Sequence, residues 1–183
     1  MMKTDSIKEK LLAAAEKRVR HVGFNAVSFR DLAADVGVKS SSVHYYFLKK
    51  EDLGEALVNR YAENFKNELD KIDANTQSLI DALTAFVGLY GRALVLGDSV
   101  CLCAILGAEV NGLAPRIRER VQAFFQMNTD WLDKRFRNGA DNPARLTSLE
   151  IVAALEGAMI VSTTLGSREA FDVTAARILK TSI

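Results

Sequence analysis

Residues 28–53 read SFRDLAADVGVKSSSVHYYFLKKEDL, two short helical patterns on either side of a glycine. Ser28 followed three residues later by Asp31 is a helix-start signature: a hydroxyl onto a free backbone N–H, and a carboxylate near the positive helix end. Leu32, Ala33 and Val36 then supply a small apolar face at helical spacing. Gly37 stands where that helix must end and where a residue free to take positive φ is useful. A second helix is expected to begin in Ser40-Ser41-Ser42, whose hydroxyls can cap orphan N–H groups. It would bury Val43 and Phe47 and leave Ser41, Ser42, His44 and Tyr45 outward. Two short helices joined by a tight glycine turn, the second with small polar and aromatic outward groups, suit a DNA major groove. An ordinary helical hairpin shares the pattern.

These residues resemble the DNA-binding region of the TetR/AcrR family of bacterial repressors. The matching elements are Ser28-x-Arg30-x-Leu32-Ala33, Val36-Gly37-Val38, Val43-His44-Tyr45-Tyr46-Phe47 and Lys50-Glu51-x-Leu53. The resemblance rests on motif in the first third of the chain and on size and helical layout beyond it. Two positions depart from the family pattern. His44 stands where a tyrosine is usual, and Lys49 where Ser, Thr or Asn caps the next helix, which implies a frayed start to that helix. The resemblance implies an all-α protein of about nine helices. A three-helix helix-turn-helix head over residues 4–64 would be joined by a continuous helix to a larger regulatory and dimerisation domain over residues 65–183. It further implies a cytoplasmic homodimeric repressor, not an enzyme, bound to a palindromic operator in double-stranded DNA and released by a small molecule or by thiol modification. Base contacts would come from Arg30, Ser41, Ser42 and His44, since arginine reads guanine bidentately and serine hydroxyls serve several base edges. Ser28, Lys39, Tyr45, Tyr46 and Lys50 would grip phosphates, Lys50 from a positive helix N-terminus. Tyr46 could equally pack against the first helix.

Composition points the same way. The 183 residues suffice for one or two small domains with a substantial core, and the two prolines leave long helical stretches uninterrupted. No apolar run reaches the length of a membrane span, and the polar N-terminus has no signal-peptide core. Two cysteines, two residues apart, form no disulfide framework, which suits a reducing cytoplasm. The net charge of +1 hides an asymmetry: residues 1–50 hold ten Lys and Arg against five Asp and Glu, and residues 51–183 hold fourteen against eighteen. The basic end is the end with the helix-turn-helix pattern, as expected where one face meets phosphate. Neither His21 nor His44 has metal-ligand spacing, and no metal or cofactor is expected. Phosphate-loop and nucleophile-elbow motifs are absent, and a solvated face explains Asp130 and Asp133, which speaks against an enzyme. A helical adaptor for other proteins would leave both the recognition-helix pattern and the basic first third unexplained.

Helices are predicted almost everywhere else. Ser6 with Glu9 is a capping box for a first helix through Ile7, Leu11, Leu12, Ala15 and Val19, which stops at Gly23. Phe24 and Val27 follow as plugs for a three-helix core. A fourth helix is predicted from Lys50 to Ile72, with Leu53, Leu57, Tyr61, Phe65 and Leu69 four apart, interrupted by Asp73-Ala74-Asn75. A fifth covers Leu79 to Leu96. Asp98-Ser99 begins a sixth that ends before Pro115, and Pro115 suits the start of a seventh. Asn138 to Arg145, with Gly139 and Pro143, reads as a loop. Thr147 with Glu150 caps an eighth helix ending at Gly166, and Ser167 caps a ninth.

One copy of so small a head holds DNA weakly, so a dimer is expected through the last two helices. Ala153, Ala154, Gly157, Ala158 and Val161 form a small-residue face, extended by Leu165, that a partner helix could approach to build a four-helix bundle. The same face could instead pack only within its own subunit. Phe86, Tyr90, Leu94, Phe124, Phe125, Met127, Asn128, Trp131, Met159 and Thr163 lie on the central helices. They could line a mostly apolar cavity for a small apolar or electrophilic effector, or simply fill the core. Cys101, leading the run CLCAILGAEV, is similar to the cysteine of a TetR branch that releases DNA on meeting electrophiles or hypochlorite. A helix start would stabilise its thiolate, whereas a buried cysteine is an inert filler.

Overall fold

Almost every helix of the chain begins or ends at a residue with a physical reason to be there. The computed structural model describes residues 6–97, 100–137 and 146–181. Its elements are α1 (Ile7–Val22), α2 (Phe29–Val36), α3 (Ser40–Tyr46), α4 (Lys50–Asn75), α5 (Leu79–Gly97), α6 (Leu102–Ala108), a 3-10 turn (Val110–Gly112), α7 (Pro115–Arg137), α8 (Ser148–Leu165) and α9 (Glu169–Thr181). The described residues contain no strand. Ser28 Oγ accepts the Asp31 N–H at the head of α2, and Gly37, at φ +72°, closes that helix in the left-handed conformation a side chain would resist. Thr147 and Glu150 form a complete capping box on α8, and Ser167 Oγ accepts the Glu169 N–H at the start of α9.

Several expectations change. Ser6 caps α1, but Glu9 does not return the bond; its carboxylate pairs with Arg60 of α4 at 3.0 Å. No serine caps α3, whose N-cap is Lys39 with no side-chain bond. The fourth helix runs through Asp73-Ala74-Asn75, because Asp73 is held by Trp131 Nε1 at 3.0 Å and by Arg135, and Asn75 donates back to Lys71 O. The sixth helix is short, beginning at Leu102 and giving way to the 3-10 turn before Pro115. Asp98-Ser99 and the loop Asn138 to Arg145 lie outside the described residues. One helix, α8, is long and apolar enough to cross a membrane by length and composition, but it packs against α5 and α9.

The chain divides into two compact units. The first comprises Met1–Tyr61 with Leu102–Val121. Here α1 packs against α2 and α6, and α2 against α3. Leu11, Leu12, Ala15, Val19, Phe24, Val27, Leu32, Val43, Phe47, Leu53 and Leu57 are buried, as are Leu102, Leu106, Leu113 and Ile117. Phe24 and Val27 therefore do plug the head. The second unit comprises Ala62–Cys101 with Gln122–Ile183, in which α5, α8 and α9 pack on one another. Its interior holds an aromatic cluster: Phe86 stacks on Trp131 at 5.3 Å, and Phe65 meets Phe86, Tyr90 and Phe124 edge-on.

Candidate nucleic-acid interface and regulatory core

In the head, α2 and α3 meet across the Gly37 turn, and the side chains proposed to reach DNA remain outside the core. Ser28, Arg30, Lys39, Ser41, His44 and Tyr45 are exposed, and Ser42, Tyr46 and Lys50 are half-buried. Val43 and Phe47, on the opposite side of α3, are buried, so the register of that helix is fixed by its apolar pair. Tyr45 is 81 % exposed and meets Tyr46 edge-on at 5.0 Å. The His44 imidazole stands edge-on to Phe29 at 4.9 Å, which orients the ring from α2. Leu48, 81 % exposed in the turn after α3, adds an apolar group to this surface that no motif in the sequence signals.

The Ser28 hydroxyl is less available than expected, because it also donates to the Asp31 carboxylate at 2.6 Å. Lys50 is engaged as well. Its ammonium donates to Asn25 O at 2.8 Å and stands 5.0 Å above the Phe24 ring. Burial lowers its pKa and the nearby Glu109 opposes that shift. Glu109 itself, in the turn after α6, accepts from the backbone N–H groups of Phe24 and Asn25 at 3.1 and 3.3 Å and from Asn25 Nδ2 at 3.2 Å. No sequence pattern singles it out, since its partners lie more than eighty residues away. Arg116 completes this side of the unit, bonding Asp52 at 2.6 Å with Glu51 and Glu55 close by. The Lys49 N–H and then Arg116 hold the Asp52 carboxyl below the usual range. Lys49 cannot cap α4 with its side chain, but Asp52 still reaches back to its N–H at 2.8 Å, which is half of a capping box.

In the second unit, Phe86, Tyr90, Leu94, Cys101, Asn128, Trp131 and Met159 are buried, with Phe124 beside them on α7. Phe125 and Met127 are half-buried. Thr163 is exposed and apart from these, on the outer face of α8. That face also carries Leu149, Ala153, Gly157, Ile160, Val161 and Leu165, all exposed. Ala158 turns inward and is buried, and Ala154 is half-buried, so the small-residue face is narrower than the sequence suggests. Cys101 is 2 % exposed and precedes a helix of seven residues. Both features favour an inert thiol over a reactive thiolate.

Glu156 belongs to no recognisable motif, although an acid inside the apolar run AALEGAMIV is a visible signal. Burial pushes its carboxyl well above the usual range, with the Cys101 thiol beside it adding to the shift. An acid whose folded pKa is raised stabilises the fold fully below its unfolded value, about 4.3, and loses that contribution as pH rises through the folded value. Wild-type urea midpoints should therefore fall as pH climbs above that range, and Glu156→Gln should flatten the trend. Parallel pH profiles for the two proteins would show Glu156 to be solvated.

A sequence profile of bacterial regulatory proteins of the tetR family matches residues 11–57, from α1 into α4. The fold is similar to that of a TetR transcriptional regulator from Legionella pneumophila, with a TM-score of 0.89 and 27% identity over 100% of both chains. It is also similar to a TetR-family regulator from Agrobacterium tumefaciens, with a TM-score of 0.86 and 23% identity over 95% of this chain and 96% of that one. A third similar structure is AibR in complex with isovaleryl coenzyme A and operator DNA, with a TM-score of 0.72 and 16% identity over 97% and 98% of the two chains. No curated protein matches the sequence.

Proposed function

We propose that this chain, similar to TetR-family regulators over residues 11–57 and in fold, is a homodimeric DNA-binding repressor that leaves a palindromic operator when its second unit binds a small molecule. The observation that carries the reading is that Arg30, Ser41, His44 and Tyr45 are exposed on a helix-turn-helix whose inward Leu32, Ala33, Val43 and Phe47 are buried, with Val36 half-buried. Arg30, Ser41, Ser42 and His44 would read bases. Ser28, Lys39, Tyr45, Tyr46 and Lys50 would hold phosphates, and the exposed face of α8 would join two copies. AibR, crystallised with operator DNA and a coenzyme A thioester, illustrates this pairing of partners on the same fold. We assign DNA binding to residues 4–64 and effector binding and dimerisation to residues 65–183, with the segment 102–121 serving the head. Release by thiol modification has the burial of Cys101 against it.

Salt-dependent, saturable binding to a duplex recovered from genomic fragments by pulldown and sequencing tests the reading. Binding that is weak and indifferent to sequence would sink it in favour of a helical adaptor. Within the head, Lys39→Ala should lower the slope of log affinity against log salt by about 0.9 for each phosphate that is no longer neutralised. Lys50→Met should lower the slope less and the melting temperature more, because Lys50 already bonds Asn25 and Phe24. Equal slope changes without a stability loss would return Lys50 to a pure phosphate role.

A further inference from the structure

Lys50 is the first residue of α4, so its charge lies at the positive end of a helix dipole, and it is half-buried. Its ammonium is nevertheless held in one place, donating to Asn25 O at 2.8 Å above the Phe24 ring. Asn25 is clamped from its other side. Glu109 Oε2 accepts the N–H groups of Phe24 and Asn25 at 3.1 and 3.3 Å and Asn25 Nδ2 at 3.2 Å. The other carboxylate oxygen, Oε1, occupies the place where a Cβ on Gly23 would stand, so only a glycine lets Glu109 close on this loop. Glu109 is itself pinned by its backbone: its N–H donates to Ile105 O at 3.2 Å, and its C=O accepts the Gly112 N–H at 2.8 Å. A fixed post therefore holds Asn25, and Asn25 holds Lys50. All of these residues lie within the first unit.

The consequence for binding follows from the entropy of a long side chain. A free lysine surrenders much of its rotamer freedom when it settles on a phosphate. One already tied by a single N–H surrenders less, and its ammonium keeps two further donors for the anion. The Glu109 charge also works against the burial that lowers the Lys50 pKa, which keeps the ammonium charged. We propose that Glu109 is a positioning residue for the phosphate grip: through the Phe24–Asn25 backbone it fixes the carbonyl that pre-orders Lys50 for an operator phosphate. This role rests on the reading of the head as a DNA-binding module. Glu109 acts in it through Asn25 and Lys50, without touching DNA.

The test is a double-mutant cycle on the full-length protein, titrated with its recovered operator duplex at a temperature where circular dichroism shows every variant folded. Glu109→Ala should weaken operator binding by about threefold to tenfold per head, as expected for one side chain that must then be ordered on binding. Glu109→Gln, which keeps the shape and an acceptor oxygen, should recover part of the loss. In a Lys50→Met background, Glu109→Ala should change affinity by less than about twofold, because the group it positions is gone. An equal loss in both backgrounds would make Glu109 a general support of the head and overturn the proposal. Unchanged or tighter binding by Glu109→Ala with Lys50 present would overturn it too. A second readout needs no DNA: brief acetylation with N-hydroxysuccinimidyl acetate, followed by mass spectrometry, compares Lys50 with the exposed Lys49. Glu109→Ala should speed acetylation of Lys50 at least about threefold over Lys49, on the same estimate of one released side chain, and no acceleration would mean that Glu109 does not hold Lys50. Acceleration in a protein whose wild type binds no duplex would keep the clamp and overturn the DNA-binding reading instead.

Discussion

Gly157→Leu should split the dimer while leaving each protomer folded and locally more stable. Gly157 lies in the middle of α8 on its exposed side, and a Cβ built there meets nothing within 4 Å in its own chain. Glycine inside a helix costs about 0.8–1.0 kcal/mol relative to alanine, and leucine is nearly as good as alanine, so the isolated helix gains. The loss falls on the partner. A leucine where two helices approach closely overpacks the interface by about 1–3 kcal/mol, and two-fold symmetry applies the change twice. With one head in place of two tethered heads, operator affinity should fall by about 10²–10⁴. Sedimentation velocity, circular dichroism and operator titration read the three effects. An intact dimer with normal operator affinity would move the interface off this face of α8.

Gly54→Val should act in the opposite place and with the opposite sign. Gly54 is also helical, in α4, but a Cβ there would lie 2.5 Å from Ile117 Cδ1 and 2.7 Å from Phe24 Cζ. Both neighbours are buried and cannot retreat into solvent. Alanine would set a helix-propensity gain of about 1 kcal/mol against the clash, whereas valine adds two further methyl groups. We expect Gly54→Val to destabilise the first unit by about 1–3 kcal/mol and to lose DNA binding at lower urea than the wild type. Unchanged urea midpoints would mean that Ile117 and Phe24 pack more loosely than these distances imply.

The helix-turn-helix was legible because everything that defines it is local. Ser28, Asp31, Gly37 and the Val43–Phe47 pair are caps, a turn and an apolar step within twenty residues, and each took its expected place. What stayed hidden depends on distant chain. Nothing near Asp73 announces that Trp131 and Arg135 will carry α4 past it, and nothing near Glu109 announces Phe24. The eighth helix was hard to orient for another reason. It is apolar nearly all round, so its pattern could not say that Ala158 faces inward while Val161 and Thr163 face outward. Glu156 stands out in the run AALEGAMIV as a lone acid, but the pattern does not say that it is buried.

The grouping of Leu102–Val121 with the first sixty-one residues bears on how this chain can be inherited or rebuilt. A single crossover near residue 64 would hand the head a stranger's sequence at positions 109, 116 and 117. The amides of Phe24 and Asn25 would lose Glu109, the acids Glu51, Asp52 and Glu55 would lose Arg116, and Gly54 would face an unmatched side chain. A hybrid that replaces the second unit and keeps this head intact needs three crossovers, one after residue 61 and one on each side of the 102–121 segment. Recombination and domain grafting are thereby constrained by the 102–121 segment, and those residues should travel with the head they fit.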